Sequence, residues 1–265
     1  MSFDAASGQR KAGRRTLAAL VLLALAAAVM VRLGFWQLSR AQQKIDLAAA
    51  VQAGRALPPA TLGPFSAAPD LIPSRSVMAT GHWLADRTVL LDNRMAGGKP
   101  GFWVVTPLAF DAAPGAGRAQ AVAVLRGWMA RPLPDGPVSV PAPGGPVAIR
   151  GELIARVPRL FELSSLGAGN AQALPAHLPA ASGMAPRVQN LDLAVYARAS
   201  GVTLLPALVE QTGGADDGLL REWPQPPSNV AMNRGYALQW FSFAAIAAIA
   251  FGAILVRYLR ARRQR

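Results

Sequence analysis

Few residues in this chain are suited to covalent or metal chemistry. Its 265 residues include no cysteine and only two histidines, His82 and His177. Without cysteine the chain has no disulfide, no thiol nucleophile and no thiolate-ligated zinc or iron–sulfur site. Two histidines are too few for a multi-histidine metal site. The sequence therefore predicts no catalytic and no metal-binding residues.

Two other arrangements resemble catalytic devices but differ from them. Asp216 and Asp217 are adjacent carboxylates in a glycine-rich segment, which predicts a fully solvated loop rather than an acid–base pair. The Gly-Gly-Lys-Pro-Gly string at 97–101 lacks the spacing of a phosphate loop, and its proline removes a backbone donor. These patterns favour a protein that acts by binding. A membrane-tethered hydrolase using His82 or His177 is the least favoured alternative.

One constellation has the character of a binding surface. Trp36, Arg40 and Lys44 follow each other at steps of four residues, so a helix would place them on one face. Gln239 and Trp240 lie near the same depth on a second apolar segment. Aromatic, amide and basic groups together could bind a partner helix or an acidic cofactor group. Plain anchoring at a membrane interface is the other interpretation.

Two apolar segments must position that constellation. Residues 17–31 and 236–256 contain no charged side chain, and a bilayer core needs about 20 apolar residues in a helix. The net charge is +13, but most of the excess flanks these two segments. That distribution indicates a membrane protein and argues against a nucleic-acid groove. The predicted partner is the lipid bilayer, with no nucleic acid.

The flanking charges also predict the topology. Basic residues precede the first apolar segment and follow the second, which places both termini in the cytoplasm of a multi-pass inner-membrane protein. The predicted organisation is a basic cytoplasmic N-terminus at 1–16, a transmembrane helix at 17–37, an extracytoplasmic (periplasmic) domain at 38–235, a second transmembrane helix at 236–256 and a basic cytoplasmic C-terminus at 257–265.

The middle domain carries short runs rich in β-branched residues, separated by turn residues. Strands are predicted at 76–80, 88–91, 102–106, 121–125, 147–154 and 203–209. A helix is predicted at 191–199, with Gly201 ending it. Residues 52–72 and 164–187 are expected to be surface loops, and 132–146 a long hairpin connection. The predicted fold class is an α+β membrane protein, in which two transmembrane helices flank an antiparallel, β-rich extracytoplasmic domain.

Several motifs occur in an order that resembles the Surfeit locus protein 1 family. They are LGFWQLSR at 33–40 followed by Lys44, Gly81, LLDNR at 90–94, GFWVVTPL at 101–108, LRGW at 125–128 and YALQWF at 236–241. The resemblance covers about 17–256 and is weakest at 52–72 and 130–187. It assigns partner binding or a family motif to Gly34, Trp36, Gln37, Arg40, Lys44, Asn93, Arg94, Gly101, Pro107, Arg126, Gly127, Trp128, Tyr236, Gln239 and Trp240.

The resemblance implies a role in assembling cytochrome c oxidase, the haem–copper terminal oxidase. The partners it implies are subunit I and other oxidase assembly factors, with haem a as a possible transient ligand. The alternative role is that of a haem a carrier in its own right. Family members usually carry a histidine where this chain has Asn233, which leaves Met232, Tyr236 and Trp240 as weak candidates for contact with haem.

Three motif residues have structural alternatives to a docking role. Arg94 is expected to follow a turn and cap it, and Trp128 to lie in the core. Arg126, on a strand, is expected to pair with Asp92 or Asp86 across the sheet.

Overall fold

The computed structural model describes residues 3–111, 119–132, 134, 136, 138–160, 173–214, 216–225 and 229–264, with side chains from residue 14 onward. The chain divides into two compact units, one formed by residues 1–49 with 226–265 and the other by residues 50–225. Part of the segment 164–187 that was expected to be a loop lies outside the described residues.

The first unit consists of two long helices. Helix α1 spans Phe3–Arg55 and helix α3 spans Val230–Arg263. Both are long and apolar enough to cross a membrane, judged by length and composition. Asn229 caps α3, because its side chain accepts a hydrogen bond from the backbone N–H of Met232 at 3.3 Å. Both helices continue past the predicted spans: α1 runs on from residue 38 to Arg55, through a segment rich in good helix formers, and α3 begins at Val230.

Small residues allow the two helices to pack closely. A Cβ placed on Gly34 would lie 2.6 Å from Cε1 of Phe241, so a larger residue would require the Phe241 ring to shift. The rings of Phe35 and Phe241 meet edge to face with centroids 5.3 Å apart. The other side chains buried on α3 are alanines, namely Ala237, Ala244 and Ala247. Small residues at the contact are typical of helix pairs in membranes.

The second unit is built on one eight-stranded sheet with the strand order β1-β2-β6-β8-β5-β4-β3-β7. Its strands are β1 (Ala60–Leu62), β2 (Ser76–Trp83), β3 (Val89–Ala96), β4 (Lys99–Ala109), β5 (Gln120–Ala130), β6 (Pro146–Ile154), β7 (Arg187–Val188) and β8 (Thr203–Gly213). A β-rich unit between two long apolar helices is thus confirmed.

The sheet is mixed rather than purely antiparallel as expected: most of its strand pairs are antiparallel. Strands β1 and β2, β3 and β7, and β5 and β8 pair in parallel. Parallel neighbours need a long crossover, and here residues 131–202 run between β5 and β8. The expected hairpin at 132–146 is also wrong, because β5 and β6 are not neighbours: β6 pairs with β2 and β8. The expected loop at 52–72 includes the end of α1 and strand β1.

The sheet curves back on itself and has a core on each side. Strand β2 also pairs with the end of β4, through His82 with Ala109 and Trp83 with Leu108, so that β2, β6, β8, β5 and β4 form a closed ring. One core, which includes Val77, Leu108, Val122 and Leu153, is built from these ring strands. Another includes Leu91, Trp103, Leu125 and Tyr196 and packs against helix α2.

Helix α2 spans Leu193–Ser200 and has a cap at each end. The Asp192 carboxylate accepts from the backbone N–H groups of Ala194 at 2.9 Å and Val195 at 3.0 Å. Gly201 follows in the left-handed conformation with φ of 70°. The predicted helix and its glycine stop are confirmed.

Two glutamates face each other across the pair of strands β6 and β8. Glu210 lies opposite Glu152, whose carboxylate accepts from Nε of Arg55 at 3.0 Å. Burial raises the pKa of Glu210 to about 7, the charge of Glu152 acts in the same direction, and Arg55 opposes it. Since the folded-state pKa exceeds the unfolded value, this group destabilises the fold as the pH rises towards 7 and beyond.

We therefore expect Glu210→Gln to raise the melting temperature at pH 8 and to leave it almost unchanged at pH 4.5. The reason is that Gln mimics the protonated acid, which the folded state already holds at the lower pH. Thermal unfolding of the full chain in detergent at both pH values measures the effect. Glu222→Gln, at an exposed position, is the matched control, and an equal response of the two variants would contradict the prediction.

Candidate functional site

A polar network joins the two helices of the first unit. The Lys44 ammonium donates to Oδ1 of Asn233 at 2.7 Å and to the backbone carbonyl of Asn229 at 3.3 Å. Asn233 Nδ2 donates in turn to Oε1 of Gln37 at 2.8 Å. Lys44, Asn233 and Gln37 are all half-buried. Interhelical hydrogen bonds of this kind fix the register of one helix on the other.

The other predicted residues of this unit are exposed. Trp36 is 48% exposed, Tyr236 47% and Met232 51%. Arg40 and Gln239 are also exposed, and Arg40 reaches Gln43 on its own helix at 3.4 Å. Trp240 is half-buried and meets Phe243 edge to face. Lys44 is thus turned towards α3, whereas Trp36 and Arg40 face outwards from the pair.

The network also defines which residues share a level. The helices are antiparallel, with Gly34 beside Phe241 and Asn233 between Gln37 and Lys44. Each residue advances either helix by about 1.5 Å along its axis. In an antiparallel pair, moving a given number of residues towards the C-terminus of α1 therefore reaches the same level as moving that number towards the N-terminus of α3. Arg40 therefore lies at the level of Arg234, and Trp36 at the level of Gln239. The exposed aromatic, amide and basic side chains form one belt, which we call the interfacial belt: Trp36, Arg40, Arg234, Tyr236 and Gln239.

The Asn233 side chain does not fit haem ligation. An amide cannot replace imidazole as an axial ligand. Both polar atoms of the Asn233 side chain are occupied, since one accepts from Lys44 and the other donates to Gln37. The neighbouring Met232 has a thioether, but its side chain is half exposed. The helix pair is thus arranged for packing at this position.

In the second unit, four of the predicted motif residues form one cluster. Trp128 is 6% exposed, and its indole Nε1 donates to the backbone carbonyl of Arg94 at 2.8 Å. Gly101 lies opposite Arg94 on the adjacent strand. A Cβ on Gly101 would fall 2.5 Å from the Trp128 indole. Asn93 adopts a positive φ of 59° at an irregularity of β3, a conformation that asparagine tolerates.

Arg94 does not cap a turn, as expected from the sequence, but lies buried in strand β3. Its guanidinium donates to the carbonyl of Pro158 at 3.0 Å and of Gln189 at 3.1 Å, and it stacks 4.5 Å from the Trp103 ring. Burial lowers its pKa to about 10, so it remains charged at neutral pH. Arg94 thereby ties two connecting segments to the sheet.

Arg126 is fully buried at a bulge of β5. Its neighbours Leu125 and Gly127 pair with Val105 and Val104 of β4, so Arg126 has no opposite residue on that strand. Its Nη2 donates to Oδ2 of Asp217 at 2.7 Å and to the carbonyl of Pro141, and its guanidinium lies 4.8 Å from the Trp83 ring. Burial lowers its pKa, an effect that Asp217 opposes.

This geometry corrects two expectations. Asp217 is not solvated, because its side chain is 4% exposed and it also pairs with Arg221. Arg126 does not pair with Asp92 or Asp86 across the sheet: Asp92 pairs with Arg131, and Asp86 with its neighbour Arg87 at 3.1 Å. The bulge explains the difference, because it rotates Arg126 out of the regular cross-strand alternation.

Gly127 and Pro107 are backbone positions. A Cβ on Gly127 would lie 2.7 Å from Cβ of Leu219, which packs against the strand at this point. Pro107 is buried in β4, and its carbonyl accepts from the backbone N–H of Leu84 at 3.0 Å. Both residues serve the packing of β4 and β5.

The two histidines are separate and exposed. His82 Nδ1 lies 3.1 Å from the carboxylate of Asp111, with both side chains more than half exposed. His177 is also exposed. Within the described residues, no three His, Asp or Glu side chains are grouped so that they could hold a metal ion.

A cavity of about 440 Å3 lies beside the β3–β7 edge, lined by Leu90, Val138, Met184 and Arg187 among others. Among its lining residues, Leu90 lies in the motif at 90–94. On the helices, the motif residues Trp36, Arg40, Tyr236 and Gln239 belong to the exposed belt, whereas Gly34 is buried and Gln37, Lys44 and Trp240 are half-buried. In the sheet the motif residues are buried except for Asn93.

Sequence reasoning missed three partners of the motif residues. Trp83 and Asp217 surround Arg126, and the role of Asn233 as a hydrogen-bond partner of Lys44 was not foreseen. A buried arginine on a predicted strand requires a carboxylate, and that requirement was a usable signal for Asp217. For Lys44 and Asn233, 189 residues apart in the sequence, only the pairing of the two helices brings them together.

Comparison with known proteins connects these motifs to one family. The family model described as the SURF1 family matches residues 24–245. SURF1-like proteins of Rickettsia bellii, Rickettsia felis and Rickettsia conorii are 33%, 32% and 31% identical to this chain over 102 residues. Those residues are 38% of this chain and 39%, 41% and 39% of the three relatives. The chain thus spans about two fifths of the length of the curated relatives it matches.

We expect Asp217→Asn to destabilise the β-rich unit by about 3 to 5 kcal/mol, because it leaves a buried arginine without its counter-charge. Urea unfolding of the full chain in detergent measures the loss. Asp216→Asn, the same change at the adjacent exposed carboxylate, should shift the midpoint only slightly. Equal midpoints for the two variants would show that the Arg126–Asp217 pair is energetically unimportant.

We expect Gly34→Ala to loosen the helix pair, because its methyl group meets the Phe241 ring. The chain has no cysteine, so Gln37→Cys with Asn233→Cys can be joined by a short bifunctional reagent, and the cross-linking yield reports the helix contact. Gly235→Ala, where no atom lies within 4 Å of the added Cβ, is the control. A yield that Gly34→Ala leaves unchanged would contradict close packing here.

Proposed function

The chain belongs to the SURF1 family, and from this membership we propose that it is a membrane-anchored assembly factor for the haem–copper terminal oxidase, cytochrome c oxidase. It acts as a scaffold for subunit I during the maturation of its haem a centre, alongside other assembly factors. The interfacial belt on the helix pair is the observation that carries this proposal. A transmembrane partner requires a contact surface within or beside the bilayer, and this belt offers one.

The proposed location is the inner membrane, with α1 and α3 as its two spans. Arg15 precedes Gly34 by as many residues as Arg260 follows Phe241, so both arginines lie at one level about 28 Å from the Gly34–Phe241 contact. This distance is close to the 30 Å of a hydrocarbon core. The aromatic side chains of the interfacial belt fall at its other boundary. Both termini then face the cytoplasm, and the β-rich unit lies on the opposite side.

A scaffold is favoured over chemistry because of how the motif residues are used. Arg94, Arg126 and Trp128 are buried, and their polar groups contact carbonyls, a carboxylate and aromatic rings within the β-rich unit. Such residues maintain the unit rather than meet a substrate. The exposed members of the motif set, Trp36, Arg40 and Gln239, have their polar or aromatic groups available on the helix surface.

The scaffold role also fits the residues better than that of a haem a carrier. The helix pair contains no histidine, and Asn233 is committed to Lys44 and Gln37. A carrier would have to use other groups. The two roles differ in a simple observable: a carrier purified from cells that make haem a shows a Soret band, and a scaffold does not.

The primary test compares membranes from a strain lacking this protein with those of the complemented strain. We expect the reduced-minus-oxidised haem a signal and the rate of cytochrome c oxidation to fall together, several-fold, and to recover with the gene. The strain must lack any second family member. No change in either quantity would refute the assembly role.

A residue-level test uses the belt. Arg40→Gln should lower oxidase activity several-fold while the protein remains at normal abundance in the membrane, since Arg40 is exposed and its hydrogen bond is to Gln43 on its own helix. Arg198→Gln, an exposed arginine of the β-rich unit, is the matched control. Full oxidase activity in the Arg40 variant would remove the belt from the proposal.

A further inference from the structure

We propose that the arginine-rich ends of α1 and α3 together form a binding surface for anionic phospholipid headgroups. The surface consists of Arg14 and Arg15 on α1 and Arg257, Arg260, Arg262 and Arg263 on α3, and we call it the arginine end. The inference rests on the proposed membrane insertion and adds to it a lipid of defined charge as a binding partner.

The arginine end has no acidic counterpart. The sequence contains no Asp or Glu between residues 5 and 45, nor between residues 223 and 265. All six arginines are exposed, and no ion pair involves them within the described residues. By contrast, Arg55, Arg87, Arg126 and Arg131 of the β-rich unit each pair with a carboxylate. The positive charge at the arginine end is thus left for an external anion.

The helix register brings these charges to one level. Counting from the contact between Gly34 and Phe241, Arg15 lies nineteen residues back on α1 and Arg260 nineteen residues forward on α3. Arg257 is one turn of helix closer to the apolar segment, and Arg263 one turn farther away. The arginine end is therefore a band about two turns deep around the end of the helix pair, continuous with its apolar surface.

The position and chemistry of the band fit phospholipid headgroups. Guanidinium groups bind phosphate oxygens in bidentate fashion, and every basic residue of the band is arginine rather than lysine. Tyr258, whose ring lies 5.7 Å from the Arg262 guanidinium, provides the aromatic group typical of the boundary between hydrocarbon and headgroups. A basic cluster directly beside an apolar helix is attracted to anionic lipid. A nucleic acid would meet the adjoining apolar side chains as well, so it fits less well.

The test is native mass spectrometry of the full chain in mild detergent with equal amounts of phosphatidylcholine, phosphatidylglycerol and cardiolipin. We expect selective retention of the two anionic lipids. The quadruple change of Arg257, Arg260, Arg262 and Arg263 to Gln should lower that retention several-fold and leave phosphatidylcholine unaffected. The matched control changes four exposed arginines of the β-rich unit, Arg150, Arg156, Arg159 and Arg198, to Gln and should retain anionic lipid like the parent chain.

Correct folding and orientation of the variants are checked independently. Gln264→Cys introduces the single thiol of the chain, and its accessibility from the cytoplasmic side reports the topology. The circular dichroism signal of the helices should be the same in all chains. A second variant, with the four arginines changed to Lys, keeps the charge and should retain more anionic lipid than the Gln variant does.

The outcomes separate this inference from the function on which it rests. If carbonate extraction releases the parent chain from membranes, insertion is refuted and the lipid surface with it. If the chain stays in the membrane but retains all three lipids equally, or if the Gln and control variants behave alike, the inference alone is overturned. Tighter binding of a fluorescent single-stranded oligonucleotide than of phosphatidylglycerol by the same preparation would also overturn it.

Discussion

Arg126 carries its charge into the interior of the β-rich unit, where its side chain has no contact with solvent. A buried guanidinium charge requires a counter-charge. Asp217 supplies it through Nη2, which also donates to the carbonyl of Pro141, and the guanidinium lies over the ring of Trp83. Strand β2 and the segments that follow β5 and β8 are thus held together by one side chain. Arg94 has the same role on its own strand, with two carbonyls and Trp103.

Arg94 and Arg126 make their contacts inside the β-rich unit, so the predicted motif residues have two different structural roles. One part, centred on Arg94, Arg126 and Trp128, maintains the sheet. Residues 101 and 127 are glycines there, because a Cβ at either position would clash with neighbouring backbone and side-chain atoms. The other part lies on the helix pair, where Trp36 and Arg40 are exposed. A single list of motif residues does not separate the two, since both are equally visible in the sequence. Burial separates them, and on that basis we propose partner contact for the helices.

The parts of the fold that sequence could predict are those that depend on local pattern. Apolar length identified the two long helices, β-branched runs located six of the strands, and Gly201 marked the end of helix α2. Strand direction was out of reach, because alternation of apolar residues is the same in parallel and antiparallel pairs. Strands β1 and β7, of three and two residues, are too short to show any period. Asp217 was missed because a glycine-rich neighbourhood indicates a loop without indicating what the loop covers.

Asn233 shows how one side chain can join both helices of the first unit. The Asn233 amide offers one acceptor, which Lys44 uses, and one donor group, which Gln37 uses. At the same level of the helix pair, Gln37 and Lys44 would occupy the ring nitrogens of an imidazole. The Lys44 ammonium is thereby held between α1 and α3 instead of extending to the surface. In this chain the polar contact holds the two helices together. We propose that the exposed belt at the same level and the arginine end at the far end of the pair are the two surfaces through which the helices meet protein and lipid.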